Sequence, residues 1–394
     1  MTKRKQTILM ILGIFMVAVN MRPAITSIGP MLDTIRDQLE LSNTQVSVLT
    51  SLPVLCMGIF ALLAPVLNRK LGLVKSVCVM LFVIGLLTAV RGVNDSYGVL
   101  LLTAFGIGIA IAIIGPLLSA MIKQKFPERA ASVISVYSFG MGVGASISAG
   151  LTAYVYEATA SYRMALGIWS ILAIAGILLW LAATRGEVQI RQQSEGHSRT
   201  AGTSPWKTPK AWIFLLFFGL QASTFFAVIT WVVPVVMANG FTLLRASSLL
   251  SMMTIIQIIF NLLFPLLIGR FPARRFWLLV ILLAGLLGVG FIGTGSHVLT
   301  WIGAFILGIP LGGLFPIALL LPLDETETAS ETNDWTAMMQ TGGYIMAGIL
   351  PLLIGVLYDL TSNHHNTLLI IAAFFLLMII LTFFIGNGKR QDRL

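Results

Sequence analysis

The chain has 394 residues, of which 57% are hydrophobic and 10% are charged, and its mean hydropathy is +0.94. This composition excludes an ordinary soluble domain and indicates a protein with many membrane spans. The formal net charge of +10 does not indicate nucleic-acid binding, because the lysines and arginines lie in short loops between apolar runs and form no single basic face.

Twelve long apolar runs, bounded by charges or turn residues, predict an all-α membrane protein with twelve transmembrane helices. Each run is long enough to cross a bilayer, which takes about 20 apolar residues. We number them spans 1 to 12 in chain order. They cover about residues 7–32, 44–67, 74–92, 97–122, 131–156, 162–184, 210–238, 246–268, 276–294, 298–322, 335–358 and 366–386.

A polar stretch between spans 6 and 7 divides the chain into two sets of six spans. It contains the run Gln192-Gln193-Ser194-Glu195-Gly196, and its composition is typical of a linker. We therefore predict an N-terminal six-helix bundle at residues 1–184, a cytoplasmic linker at 185–209 and a C-terminal six-helix bundle at 210–394.

The distribution of lysine and arginine predicts the orientation in the membrane. The side that carries both termini has 20 of these residues, whereas the opposite side has only 4, namely Arg36, Arg91, Arg163 and Arg245. Because basic residues are enriched in cytoplasmic loops, we expect both termini in the cytoplasm of a bacterial cell, with the chain in its inner membrane.

The two halves also resemble each other in sequence. Gly108 and Pro116 in span 4 match Gly308 and Pro316 in span 10 at an offset of 200 residues, and a basic turn follows both span 2 and span 8. Such a match between halves of equal span number indicates a parallel repeat, which is typical of carriers that work by alternating access. Before span 2, Ser42 and Gln45 have the spacing of a helix capping box.

Span 1 carries the feature that most clearly indicates function. Arg22 lies about fifteen residues into the span, roughly 22 Å along the helix and near the bilayer midplane. A charge at that depth costs about 3 kcal/mol or more unless it faces a cavity, a partner or a ligand. Pro23 and Pro30 cannot donate to the carbonyls of Val19 and Thr26, so we predict an interrupted helix at this charge.

No aspartate or glutamate lies in the middle of any predicted span. This absence argues against a cationic substrate and favours an anionic or neutral one, which the guanidinium of Arg22 would bind. Polar side chains at mid-depth complete the predicted site, although a helix–helix hydrogen bond is about as good an explanation for each of them singly. The candidate substrate-binding residues are Arg22, Thr26, Tyr137, Gln221, Gln340 and Tyr344.

Over essentially its whole length the chain resembles the major facilitator superfamily. The sequence Asn20-Met21-Arg22-Pro23, followed by Thr26-Ser27 and Gly29-Pro30, resembles the opening helix of the cyanate porter family, whose members include cyanate permease and a 2-nitroimidazole exporter. The resemblance implies secondary transport of a small anion or compact polar heterocycle. It further implies two rocking six-helix bundles, with spans 1, 4, 7 and 10 innermost.

The chain departs from the superfamily in the loop after span 2. Arg69 stands where the superfamily usually has an acid that contacts the start of span 11, and the segment before span 11 carries Glu325, Glu327, Glu331 and Asp334. We therefore predict a reversed latch in which Arg69 or Lys70 meets Glu331 or Asp334. By the internal repeat, Arg270 would meet Glu128. A solvated acidic loop is an equally good explanation.

Three other classes of protein compete with this interpretation. An exporter of larger hydrophobic drugs would share the same architecture. A membrane-embedded enzyme would need a nucleophile with its base or a metal cluster, and the spans contain neither pattern. A channel fits a repeat with a broken first helix less well than a carrier does. We expect a monomer with no cofactor or metal, whose partners are a small-molecule substrate and the lipid bilayer, with a proton as a candidate coupling ion.

Overall fold

A computed structural model describes residues 3–185, 204–270, 273–326 and 329–386. This part of the chain folds into helices, twelve of which are long and apolar enough to cross a membrane. The predicted all-α fold class and the predicted number of spans are therefore confirmed. Most of the predicted linker at 185–209, together with Glu327, lies outside the described residues.

The first six spans comprise ten helices. Span 1 is divided among α1 to α3, span 2 consists of α4 followed by α5, and span 6 is divided between α9 and α10. The helices are α1 (Lys3–Asn20), α2 (Pro23–Thr26), α3 (Ile28–Gln38), α4 (Asn43–Phe60), α5 (Leu63–Leu71), α6 (Leu73–Arg91), α7 (Tyr97–Lys125), α8 (Ala130–Thr159), α9 (Tyr162–Gly167) and α10 (Ser170–Ala183).

Each of the last six spans is one helix. They are α11 (Pro209–Ala238), α12 (Leu243–Arg270), α13 (Arg274–Gly293), α14 (His297–Glu325), α15 (Ala329–Thr361) and α16 (His365–Ile385). Several contain an internal proline, yet within their described residues no break interrupts them in the way that span 1 is interrupted. Short 3-10 turns at Pro127–Arg129 and Pro205–Lys207 precede spans 5 and 7.

The chain forms two compact units. Unit 1 contains Met1–Leu41 and Val48–Ser198, and unit 2 contains Ser42–Ser47 and Arg199–Leu394. The first turn of α4 therefore groups with unit 2, whereas the rest of that helix belongs to unit 1. The predicted capping box starts this helix, because the Ser42 amide donates to Gln45 Oε1 at 2.8 Å and the Gln45 amide donates to Ser42 Oγ at 3.1 Å.

Glycines bring the helices of each unit into close contact. In unit 1, Gly144 of α8 lies directly against the backbone of Val19 in α1, so that a Cβ at this position would overlap the Val19 carbonyl. In unit 2, Gly343 of α15 lies against the ring of Phe218 in α11 and leaves no room for a Cβ. Since small residues allow helices to approach closely in a membrane, span 5 packs tightly on span 1, and span 11 packs tightly on span 7.

The sequence repeat is confirmed in the packing of spans 4 and 10. A Cβ on Gly108 would lie 2.8 Å from the Cβ of Cys56 in span 2, and one on Gly308 would lie 2.7 Å from the Cβ of Ile256 in span 8. Both members of the second pair stand 200 residues after their counterparts. The two halves thus use the same helix contact at the same positions.

One acidic residue departs from its predicted place. The sequence places Glu325 in the loop before span 11, but the structure makes it the last residue of α14, with its side chain only 2% exposed. Its carboxylate pairs with Lys210 Nζ at 2.8 Å and lies 4.0 Å from Arg274 Nη2. A buried carboxylate requires such cationic partners, so Glu325 joins the ends of α11, α13 and α14.

Candidate functional site

The first span is interrupted at the predicted place. Helix α1 ends at Asn20, α2 is a single turn from Pro23 to Thr26, and α3 begins at Ile28. Pro23 occupies the first position of α2, where its missing amide hydrogen is tolerated. The interruption therefore follows from the proline, and it divides the span next to Arg22.

Arg22 immediately precedes the short turn. Its backbone carbonyl accepts hydrogen bonds from the amides of Ile25 and Thr26, both at 3.0 Å, so Arg22 starts α2. Its side chain is half-buried. A charged group that lies this far into a membrane span and keeps part of its surface exposed is placed where a polar ligand can reach it.

Thr26 is fully buried and contacts span 5. Its Oγ1 lies 2.5 Å from Ser148 Oγ, and each hydroxyl also faces a carbonyl of its own span, that of Arg22 at 3.0 Å and that of Gly144 at 2.8 Å. Helix packing accounts for this side chain, so its direct contact with substrate stays a prediction. Ser148 was not among the predicted site residues, although it follows Gly144 by one helical turn.

Tyr137 of span 5 lies beside the interruption in span 1. Its half-buried side chain donates from the hydroxyl to Met21 Sδ at 3.7 Å. A Cβ on Gly115 of span 4 would lie 3.7 Å from the same hydroxyl and 3.9 Å from the Met21 methyl group. Spans 1, 4 and 5 thus bring Tyr137 next to the residue that precedes Arg22.

The remaining three candidates belong to unit 2. Gln221 of α11 is 5% exposed, and its Oε1 has no hydrogen-bond partner within the described part of the chain. Nearly one turn earlier on the same helix, Phe218 packs edge-on against Tyr344, with ring centroids 5.4 Å apart. Gln340 is half-buried and stands one turn before Tyr344 on α15. Within unit 2, the three candidates thus comprise a buried amide and two half-buried side chains, one of which is aromatic.

The predicted latch residues lie at the ends of spans. Five of them are exposed, and Glu331 is half-buried. Each proposed pair would join a residue of unit 1 to a residue of unit 2, so the reversed latch stays a prediction. The exposed members are Arg69, Lys70, Glu128, Arg270 and Asp334.

A different contact holds the beginning of span 2, and sequence reasoning missed its partner. The Asp359 carboxylate, near the end of α15, accepts hydrogen bonds from the backbone amides of Asn43 and Thr44, both at 2.8 Å. It also accepts from Asn43 Nδ2 at 2.8 Å and from Thr44 Oγ1 at 2.6 Å. An acid from another span thus caps the first turn of α4, where a negative charge complements the helix dipole.

Comparison with known proteins identifies relatives over most of the chain. It is 30% identical to the "Uncharacterized transporter YycB" of Bacillus subtilis (strain 168), over 92% of this chain and 89% of that one. It is also 30% identical to the "Cyanate transport protein CynX" of Escherichia coli (strain K12), over 90% and 91% of the two chains. The "2-nitroimidazole transporter" of the same organism is 27% identical, over 91% and 90%.

Solved structures support the fold. A bacterial homologue of the human lysosomal transporter Spinster superposes with a TM-score of 0.79 at 15% identity, over 100% of this chain and 99% of that one. The nucleoside transporter NupG superposes with a TM-score of 0.73 at 14% identity, over 96% and 98%. At these identities the likeness concerns the fold alone.

The family itself follows from the match between residues 8–348 and the Major Facilitator Superfamily. That match extends through the interrupted first span and into span 11, and it agrees with the twelve membrane helices. The chain therefore belongs to the Major Facilitator Superfamily, and it is a multi-pass membrane transporter for a small molecule, not an enzyme.

Proposed function

We propose that this transporter carries a small anion or a compact polar heterocycle, similar to cyanate or a nitroimidazole, across the cytoplasmic membrane by alternating access. The observation that carries the proposal is Arg22, a half-buried guanidinium at the interruption of span 1. The predicted spans contain no acid at mid-depth. A site with this charge distribution favours a negative or electron-rich group.

The chemistry of arginine narrows the substrate class. A guanidinium offers a planar fork of hydrogen-bond donors, which matches a linear anion or a nitro group better than the point charge of a lysine does. The names of two relatives, the cyanate and the 2-nitroimidazole transporters, refer to compact molecules with such a group. Both considerations support the same class of substrate.

Other side chains fit this class. The Tyr137 hydroxyl lies near Met21 beside the charge. In unit 2 the free Oε1 of buried Gln221 can accept a hydrogen bond from a heterocyclic N–H, and the half-buried ring of Tyr344, which packs on the fully buried ring of Phe218, offers apolar surface to a flat ligand. We propose Thr26, Tyr137, Gln221, Gln340 and Tyr344 as the remainder of the site.

Alternating access is supported by the internal repeat. The matched contacts of Gly108 and Gly308 give the two halves the same contact between their second and fourth spans, as expected of repeated bundles that move as bodies. The excess of lysine and arginine on one side supports cytoplasmic termini in a bacterial inner membrane. Labelling of single cysteines from each side of the membrane tests that orientation. A monomer and proton coupling also stay proposals.

Transport by purified protein in proteoliposomes tests the function. We expect uptake of radiolabelled cyanate, with competition by 2-nitroimidazole. Arg22→Ala should abolish uptake in folded protein, and Arg22→Lys should raise KM by about tenfold or more, since it keeps the charge but loses the fork. Arg245→Ala is the matched control, because Arg245 is an exposed arginine at the start of α12. Wild-type uptake by Arg22→Ala would refute the proposal.

A second candidate function is the export of larger hydrophobic compounds. The half-buried rings of Tyr344 and Phe315 favour it; both pack on the buried ring of Phe218, at 5.4 and 6.0 Å between centroids. Thermal shifts of the purified protein discriminate the two, because a ligand at 100 times its Kd adds about 2.7 kcal/mol of stability. Stabilisation by hydrophobic cations but not by small anions would favour the exporter.

A further inference from the structure

A second arginine lies beside the interrupted helix. Arg91, the last residue of α6, is 1% exposed. From the sequence, Arg91 is one of four basic residues on the outer side, and Arg22 is the only charge predicted near the bilayer midplane. The structure adds what the sequence did not indicate, that Arg91 is more completely buried within the protein than Arg22.

The contacts of Arg91 explain where its guanidinium points. Nη1 donates to the carbonyl of Ala24 at 2.6 Å, and Nε donates to Thr103 Oγ1 at 3.0 Å. The Thr103 hydroxyl in turn donates to the Leu100 carbonyl at 2.8 Å within α7. The guanidinium plane is thus held by span 4 and directed at span 1.

Ala24 belongs to the short turn that starts at Arg22, the residue whose guanidinium we assign to the substrate. It stands two residues after Arg22 in α2, a helix of four residues with an interruption on each side. A turn this short has little hydrogen bonding of its own to fix its orientation. The bond from Arg91 to Ala24 therefore anchors the turn to span 3, on top of the contact between Thr26 and Ser148 that joins it to span 5.

The burial of Arg91 is expensive for a purely structural contact. Its acceptors among the described residues are a neutral carbonyl and a hydroxyl, and Nη2 has no hydrogen-bond partner there. A buried charge without a carboxylate is poorly compensated. We propose that Arg91 is a positioning residue of the transport site: by holding the Ala24 carbonyl it sets the orientation of Arg22 and hence the affinity for substrate.

This inference rests on the proposed function only in assigning Arg22 to the substrate. The chain offers a matched control in Arg274, which is 2% exposed and donates from Nη2 to the Gly386 carbonyl at 3.1 Å in unit 2. Arg274→Met removes a buried guanidinium–carbonyl bond, together with the contact to Glu325, far along the chain from span 1. It therefore reports the general effect of such a loss on stability.

Cyanate uptake by full-length protein in proteoliposomes tests the inference. Arg91→Met should raise KM about tenfold with a smaller change in kcat, Arg91→Lys should recover part of that loss, and Arg274→Met should leave KM unchanged. If Arg91→Met does not fold, Thr103→Val, which removes the acceptor of Nε, should raise KM by about threefold, whereas Thr103→Ser should not. In an Arg22→Lys background, Arg91→Lys should add less than it does alone, since both act on one interaction.

Hydrogen–deuterium exchange supplies a readout that needs no substrate. In Arg91→Met, or in Thr103→Val, amides of residues 21–28 should exchange about tenfold faster, and in Arg274→Met they should not change. Unchanged exchange and unchanged KM in both variants would overturn the role of Arg91. Failure of the proposed function looks different, because Arg22→Ala would then transport as wild type while the exchange result still decides the role of Arg91.

Discussion

Replacing Asp359 with asparagine should release the first turn of α4 from span 11. The carboxylate accepts four hydrogen bonds from Asn43 and Thr44 at 2.6 to 2.8 Å. Asparagine keeps one acceptor oxygen and loses the charge, so it can cap only part of this turn. In an alternating-access carrier, separation of these two spans at this end requires that all four bonds break.

The size of the effect follows from the exposure of the contact. Asp359 is exposed, so its bonds have the value of a helix cap, about 0.5–2 kcal/mol, with about 0.3–1 kcal/mol from the helix dipole. We take about 1–2 kcal/mol as the loss in Asp359→Asn. That loss shifts the equilibrium between joined and separated spans by about 5- to 30-fold toward separation.

A cysteine beneath the contact can report that shift. Ser47 is fully buried, and its Oγ would lie 2.5 Å from a Cβ on Gly355. In a background with Cys56 and Cys78 replaced by alanine, a membrane-impermeant maleimide should label Ser47→Cys about 5- to 30-fold faster once Asp359→Asn is added. The faster labelling should be seen when the maleimide is added to the outer side of the membrane.

The control is Asp95→Asn. Asp95 forms an exposed ion pair with Arg163 at 2.8 Å, also at the predicted outer side but within unit 1. Its replacement should leave the labelling of Ser47→Cys unchanged. An unchanged rate in folded Asp359→Asn protein, or an equal increase in both variants, would refute the idea that this cap holds the two spans together.

Two further predictions concern charges at the opposite ends of the spans. If the reversed latch exists, Arg69→Glu and Asp334→Arg should each expose cysteines on the cytoplasmic side, and the double variant should restore protection; strictly additive effects would reject the pair. Glu325→Gln should lower the free energy of unfolding by about 3 kcal/mol, because it leaves buried Arg274 without its acid. Lys210→Met should cost less, since Lys210 is partly exposed; equal melting temperatures for wild type and Glu325→Gln would contradict this.

The positions of the spans and the interruption of the first one were predictable because they depend on local chemistry. Apolar runs of sufficient length become membrane helices, and a proline removes an amide donor wherever the chain places it. The sequence also indicated the capping box at Ser42 and Gln45, whose two bonds connect residues three positions apart. Each of these predictions depends only on residues that are close together in the sequence.

The burial of Arg91 was not predictable in this way. Arg91 ends an apolar run and precedes a polar turn, which is the usual setting of an exposed basic residue. Inside the protein its guanidinium donates to the carbonyl of Ala24, which lies 67 residues earlier in the chain. In the same way, the sequence around Glu325 predicts an acid in a loop. In the structure the Glu325 carboxylate is buried and lies 2.8 Å from Lys210 Nζ, at the start of span 7. Contacts of long sequence separation decide both cases.

The internal repeat copies packing but not chemistry. Gly108 and Gly308 make equivalent contacts, yet the residue that stands 200 positions after Arg22 is Ala222, in the middle of the uninterrupted helix α11. Equivalent packing suits two bundles that undergo matched movements. A substrate with one charged end, however, needs only one arginine to bind it, because a second substrate-binding arginine in unit 2 would be desolvated without a second negative group to bind. On this reasoning, the proposed site needs its cation only in unit 1, where Arg91 anchors the turn that Arg22 starts, and unit 2 needs no equivalent arginine.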